Sequence, residues 1–495
     1  MKRKLMLNTV TSLASQLVAV ICGFVLPRLI LEQFGSEVNG LTQSIKQFLT
    51  VISFLDLGVG QVIRSALYGP LAEKNREKTS AVMASGRKFY NRLASGLAVY
   101  VLVLMLVYPF LADQDFGWLY TAALIGAMSV STFAQFYFGI VNDQLLQADQ
   151  RGYILYSVQI GANLANMALC VMLVYLGSSI HGVKLATSLV FLLKVLAVEY
   201  YIRRHYRLDR KNVGAGEPIR QKWSGVAQHI SAVVLDGTDT IVLTFLSTLS
   251  NVSVYSVYYM VVSSIQSFYQ SATAGIQSAA GALWAKGDAG AQNKMFEATE
   301  MALHTVTVFL FCCTGLLIVP FVRVYTSGLT DAQYIQPLFA AILALAYGIR
   351  CLRTPYNIWI LAAGHYKQTR VCHITAAAMN LIISVIAVAR WGLVGVAVGT
   401  LIAMIYQTGW MAWYNTKALL KRPAGSVAKR FAVDGVTAAV ICLLASRIPL
   451  SQVSYFGWLL MAVQVALIAL AVSALFALVF YWQQTVSFVR KLGRK

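Results

Sequence analysis

The sequence predicts an all-α polytopic membrane protein of about fourteen transmembrane helices. Three observations carry this. Mean hydropathy is +0.65 while charged residues make up 12% of the 495 residues, about half the usual globular share. Apolar runs of about 20 residues recur along the whole chain, the length a helix needs to cross a bilayer. Lysine and arginine collect in alternate connecting segments, as the positive-inside rule requires.

The elements follow in order. MKRKLMLN lacks a small-residue cleavage site and reads as a retained cytoplasmic end. The first helix, 8–32, carries Pro27, expected to kink or end it, and the chain turns at Gly35-Ser36. The second, 40–66, is amphipathic and runs into a basic loop over 69–92. Helices are then expected at 93–112, 117–141, 153–176 and 181–202. The 203–223 segment is the densest in charge, with Arg203, Arg204, Arg207, Arg210, Lys211, Arg220 and Lys222. Its Gly214, Gly216 and Pro218 mark a linker. Further helices are expected at 224–248, 253–284, 301–324, 334–361, 371–389, 393–416, 432–448 and 457–482.

With the N-terminus inside, about 30 of the 40 basic residues fall on inner segments. Acids mark several outer loops: Glu32, Glu37, Asp113, Asp115 and Asp331. The net charge of +21 therefore encodes topology: a multi-pass cell-membrane protein with both termini cytoplasmic. No loop is long enough to present the basic folded face that a nucleic-acid partner needs. The seven cysteines lie in or beside apolar runs without metal spacing and read as core filler.

A shift of about 214 residues lays FGSEVNGLTQS over LSNVSVYSVYY and QVIRSALYGPLAEKN over IQSAAGALWAKGD. It also lays LLQADQRGY over ILAAGHYKQ, and Asn166 over Asn380. A duplicated six-helix unit, with both copies in the same orientation, explains the constant offset. The expected division is an N-lobe over 1–205, a basic linker over 206–223, a C-lobe over 224–417, and two added helices with a tail over 418–495.

Ionisable residues inside these helices are costly and point to a wet or paired environment. In the second helix Gln43, Lys46, Thr50, Ser53, Asp56, Gly60 and Arg64 share one stripe. Its repeat mate carries the uncharged stripe Ser256, Ser263, Gln266, Gln270, Thr273 and Gln277. Two such stripes are expected to line a central cavity. The competing reading is helix packing through small polar groups. The seventh helix places Asp236 and Asp239 one turn apart. They bind a coupling proton or sodium ion, pair with Arg350 and Arg353 of the tenth helix, or contact substrate. Asn357 continues the face of the two arginines. Arg28 either snorkels outward or grips phosphate. Lys194 needs a partner or a wet face, and Glu199 is too far round its helix to supply one. Asn163, Asn166 and Asn380 read as interhelical hydrogen-bond glue.

No Ser/His/Asp set, metal-ligand spacing or phosphate-binding loop is present in the sequence, so an enzyme is not expected. The strings GSEVNGLTQSIKQFL, LDLGVGQVIRSALYGPLAEKN and LLQADQRGYI resemble bacterial polysaccharide transporters of the Wzx type. These belong to the multidrug/oligosaccharidyl-lipid/polysaccharide superfamily. The resemblance implies two six-helix bundles plus two further helices. It also implies alternating-access translocation of an oligosaccharide on undecaprenyl pyrophosphate, for cell-surface polysaccharide synthesis. The implied partners are that substrate, membrane lipids and other polysaccharide-assembly proteins. No cofactor is expected beyond a coupling proton or sodium ion. The candidate substrate contacts are Arg28, Lys46, Arg64, Lys194, Gln266, Gln270, Arg350, Arg353 and Asn357; the candidate ion groups are Asp56, Asp236 and Asp239. An ion-coupled drug antiporter of the same superfamily is the nearer alternative, and a membrane-embedded glycan polymerase or ligase the more distant one. Buried basic residues outnumber buried acids, which favours an anionic cargo. The short outer loops disfavour the polymerase.

Overall fold

The computed structural model describes residues 2–51, 59–111, 116–206, 208 and 226–492. The described chain is a succession of helices, as it must be where lipid offers no hydrogen-bond partner to the backbone. Among the described residues nine helical runs are long and apolar enough to cross a membrane. Two of these runs each hold two of the expected helices, divided at a glycine. Helix α1 (Lys2–Val51) passes straight through Pro27 and kinks at Gly35 instead, where φ is 81°. Helix α13 (Tyr366–Tyr414) likewise joins two predicted helices across Gly392, φ 52°. Both angles lie in the left-handed region that glycine enters without steric cost. The 253–284 and 432–448 runs are helical but fall outside the nine, as does 224–248, whose apolar part is the shorter Gly237–Leu246. The first is rich in serine and glutamine, and the second begins beside Lys429, Arg430 and Asp434.

The chain divides into two compact units, Met1–Val233 with Thr248–Ser253, and Val234–Ser247 with Val254–Lys495. In the first, α1 is followed by α2 (Val59–Ala72), α3 (Arg76–Leu111), α4 (Trp118–Ala134), a π-helical turn at Gln135–Gly139 and α5 (Ile140–Ala148). Helices α6 (Gly152–Tyr175) and α7 (Ile180–His205) complete it. Its core gathers Ile45, Ile63, Tyr90, Leu97, Tyr108, Leu124 and Leu145. The tyrosine hydroxyls in this apolar setting find acceptors: Tyr108 Oη donates to Ser44 Oγ at 2.7 Å and Tyr100 Oη to the Phe48 carbonyl at 3.0 Å. The start of helix α9 (Leu249–Ala285) belongs to this unit and crosses α1 at van der Waals range. Asn39 Nδ2 donates to Ser253 Oγ at 2.7 Å, a pair 214 residues apart. A Cβ on Gly40 would sit 1.9 Å from the Leu249 carbonyl oxygen, so only glycine permits the crossing.

The second unit contains α8 (Val226–Leu246) from Val234 onward, the rest of α9, α10 (Ala289–Tyr325), α11 (Pro337–Leu352), α12 (Thr354–Ala362) and α13. Asp288 caps α10, accepting from the Ala291 amide at 3.0 Å. Helices α14 (Ala424–Ala445) and α15 (Tyr455–Leu492) pack on α10 through Val308, Cys312, Ile441, Ala469 and Val472. A polar pin fastens them: His304 Nδ1 lies 2.6 Å from Asp434 Oδ2, and Arg422 lies 3.1 Å from Glu300. Cys442 is exposed, unlike the other cysteines, so core filling does not describe it.

Candidate functional site

In the first unit polar groups on four helices meet in pairs. Lys46 stands on α1 after the Gly35 kink, with an exposed side chain. Lys184 of α7, which sequence reasoning passed over, lies within electrostatic reach of it. Neither lysine forms an ion pair with a described carboxylate. Two ammonium groups within electrostatic reach repel each other, and an anion relieves the repulsion. Only the contact reveals Lys184: a lone lysine early in a helix reads from sequence as an interface residue.

Arg64 of α2 donates from Nε to Gln144 Oε1 of α5 at 2.8 Å. A neutral acceptor satisfies the guanidinium without cancelling its charge. Lys194 does find a carboxylate, Asp143 of α5. The π-helical turn arranges this. Its widened loop lets the Gln135 side chain fold back over Gly139 and donate to Asp143 Oδ2 at 2.9 Å. A Cβ on Gly139 would meet Gln135 Oε1 at 2.6 Å. Glu199 is taken by other partners: Arg87 at 3.0 Å, Arg203 at 2.8 Å and Asn142 at 2.7 Å. Arg28 is held by Glu32 at 2.5 Å, one helical turn on, so a carboxylate already partners its charge.

In the second unit, Asp239 of α8 is buried, and three neutral side chains donate to it. Thr400 Oγ1 lies at 2.8 Å and Tyr255 Oη at 3.0 Å from Oδ2, and Asn380 Nδ2 at 3.4 Å from Oδ1. Asn380 Nδ2 also donates to Thr400 Oγ1 at 2.9 Å. Asn380 Oδ1 is buried and has no hydrogen-bond partner. One carboxylate, a hydroxyl pair and an orphaned amide oxygen form a hard-oxygen donor set, suited to a proton or a small hard cation. The interhelical role expected of Asn380 is present, but it serves Asp239.

The arginine face is less regular than expected. Helix α11 ends at Leu352 and α12 restarts at Thr354 with Pro355 near its first turn, so Arg353 stands at the junction. Arg350 lies over the Tyr347 ring at 5.8 Å, and Arg353 is close to His373 and Cys372. Asn357 is half-buried on α12. The uncharged stripe of α9 divides. Gln266 and Thr273 are buried, whereas Gln270 and Gln277 are exposed. Several of its hydroxyls turn back to their own helix, as Ser264 does to Met260 at 2.7 Å and Thr273 to Gln270 at 2.9 Å. The Asn163 and Asn166 side chains bond within their own helix, to Gln159 at 2.8 Å and Cys170 at 3.4 Å, while the Asn163 carbonyl accepts from Cys22 Sγ of α1 at 3.6 Å. Asp56 and the Asp236 side chain lie outside the described residues.

The helical architecture matches the fold of transporters of the multidrug/oligosaccharidyl-lipid/polysaccharide superfamily. Three solved structures define the likeness. The lipid II flippase MurJ, in an inward closed conformation, superposes with a TM-score of 0.70 at 14% identity, over 96% of this chain and 99% of that one. A multidrug resistance MATE family transporter in its inward-facing conformation gives 0.66 at 14% identity, over 84% and 99%. A transporter of the superfamily from Pyrococcus furiosus, described as having a binding pocket of reverse polarity, gives 0.56 at 12% identity, over 85% and 95%. No protein-family profile matches the chain, and no curated sequence does.

Proposed function

We propose that this protein is a flippase that moves a lipid-linked oligosaccharide, carried on undecaprenyl pyrophosphate, across the cell membrane for cell-surface polysaccharide synthesis. The observation that carries the reading is the Lys46–Lys184 pair, two cations in reach of each other with no described carboxylate between them. Arg64, bonded only to a neutral amide among the described residues, adds to the same sign of charge. A pyrophosphate is the anion such a site suits, because charge-assisted hydrogen bonds to phosphate are strong and ammonium groups bind it as point charges. Lys194 and Arg28 contribute less, since Asp143 and Glu32 already meet them. The likeness to a flippase also spans more of the chain than the likeness to the multidrug transporter does.

Energy enters at Asp239. Its donor set binds a proton or sodium ion, and Asn380 Oδ1 supplies the missing ligand. Both termini face the cytoplasm in this reading, from the placement of charge. The test is deletion followed by analysis of the lipid-linked intermediates. Accumulation of lipid-linked glycan on the inner leaflet is expected, and Lys46→Ala with Lys184→Ala should reproduce it. A normal intermediate pool with new sensitivity to cationic drugs would establish the antiporter instead.

A further inference from the structure

Helix α3 carries a second basic feature that the transport reading does not use. Lys88, Arg92, Ser95, Val99, Leu102 and Leu106 follow one another at steps of four and three residues, so they form one stripe. The lower half is polar and basic. The upper half is apolar and exposed, with Val99 at 62%, Leu102 at 60% and Leu106 at 57% of full exposure. At the basic end the stripe borders a cavity of about 600 Å³, a size typical of small-ligand sites. Arg87, Lys88, Asn91, Arg92, Ser95 and Tyr137 contribute to its wall, and among the described residues no acidic one does.

Behind the cavity Glu199 is shared between Arg87 and Arg203. Lys88 and Arg92 are exposed and pair with no described carboxylate. Asn91 Oδ1 is buried without a hydrogen-bond partner, an acceptor in want of a donor. Tyr137 reaches the cavity from the π-helical turn, and Phe133 stacks on it with ring centroids 5.8 Å apart.

We propose that this groove binds one anionic glycerophospholipid of the phosphatidylglycerol class. The phosphate sits among Arg87, Lys88 and Arg92. A headgroup hydroxyl donates to Asn91 Oδ1. An acyl chain follows Val99, Leu102 and Leu106. The order of chemistry along the stripe is the order along the lipid: hydroxylated headgroup, phosphate, hydrocarbon. A soluble anion would use the basic half and leave the apolar half without a role.

The test is native mass spectrometry of the full-length protein released from nanodiscs made with phosphatidylglycerol or phosphatidylethanolamine. The wild type should retain phosphatidylglycerol in preference. Lys88→Ala with Arg92→Ala should lower retention roughly 30-fold, since each surface cation contributes about fivefold to anionic-lipid binding. If that variant does not fold, Ser95→Trp, which fills the cavity, should abolish retention. Equal retention of both lipids, or of phosphatidylglycerol by wild type and variant, overturns the proposal. Displacement of the lipid by millimolar inorganic phosphate, with no dependence on acyl chains, overturns it in favour of a bare anion site. Transport is not measured, so the outcome is independent of the flippase reading.

Discussion

Asn166 and Asn380 occupy matching positions in the two repeats, yet they are used differently. Asn166 accepts a weak bond from Cys170 in its own helix, while Asn380 reaches Asp239 and Thr400. The units differ in the same sense. The first collects cations, Lys46, Lys184 and Arg64, with Asp143 set against Lys194. The second buries a carboxylate among neutral donors. The first unit thus gathers positive charge where the second buries a carboxylate, on helical frames that the 214-residue offset lays over each other. Fold is shared where backbone hydrogen bonds decide it. Chemistry diverges wherever a few side chains do.

The comparison can be broken at four places. The largest effect is expected where repeat mates touch. Gly40→Val drives a side chain into the Leu249 carbonyl and should destabilise the first unit by about 3 kcal/mol or more, read as lost yield and lower thermal unfolding in detergent. Next, Asp239→Asn removes the charge but keeps the shape. Transport by reconstituted protein should lose its response to an imposed proton or sodium gradient, by roughly tenfold, the loss expected for one charged hydrogen bond. An unchanged response ends the ion-site reading.

Lys46→Ala and Lys184→Ala probe the other side of the contrast. Each should weaken transport, and the double variant should fall short of the sum of the two, because the residues act on one anion. Additive effects would place them in separate sites. Lys46→Arg should restore most function if charge alone is needed. The smallest effect is expected from Asn166→Ala, within about 0.5 kcal/mol in thermal unfolding. Asn380→Ala should cost about 1–3 kcal/mol, since it leaves buried partners unsatisfied. Equal costs would mean that the two asparagines are equivalent after all.

Much of the fold was legible in the sequence because a bilayer leaves so few options. Apolar runs must be helices, because lipid offers the backbone no other hydrogen-bond partner. The site was legible only in part. Lys46, Arg64, Lys194 and Asp239 stood out because a charge in an apolar helix is costly wherever it points. Their partners did not stand out. Gln144 and Thr400 are ordinary polar residues until a neighbouring helix brings them within 2.8 Å of Arg64 and Asp239. Asp143 sits in a polar stretch and became the counter-charge of Lys194 only through the π-helical turn. Around Asp239 the hydrogen bonds from Thr400, Tyr255 and Asn380 could not be read from spacing along one helix. A helical wheel fixes which residues share a face, but not which helix that face meets.

Composition and order therefore determined the class of this protein, its helical segments and the positions of its costly charges. Those properties follow from solvent and backbone chemistry, which act on each segment alone. Tertiary structure decided which charges are cancelled, which are shared and which stand in want of a ligand. Electrostatic pairing depends on distances of a few ångströms between segments far apart in the chain, and no local pattern encodes them.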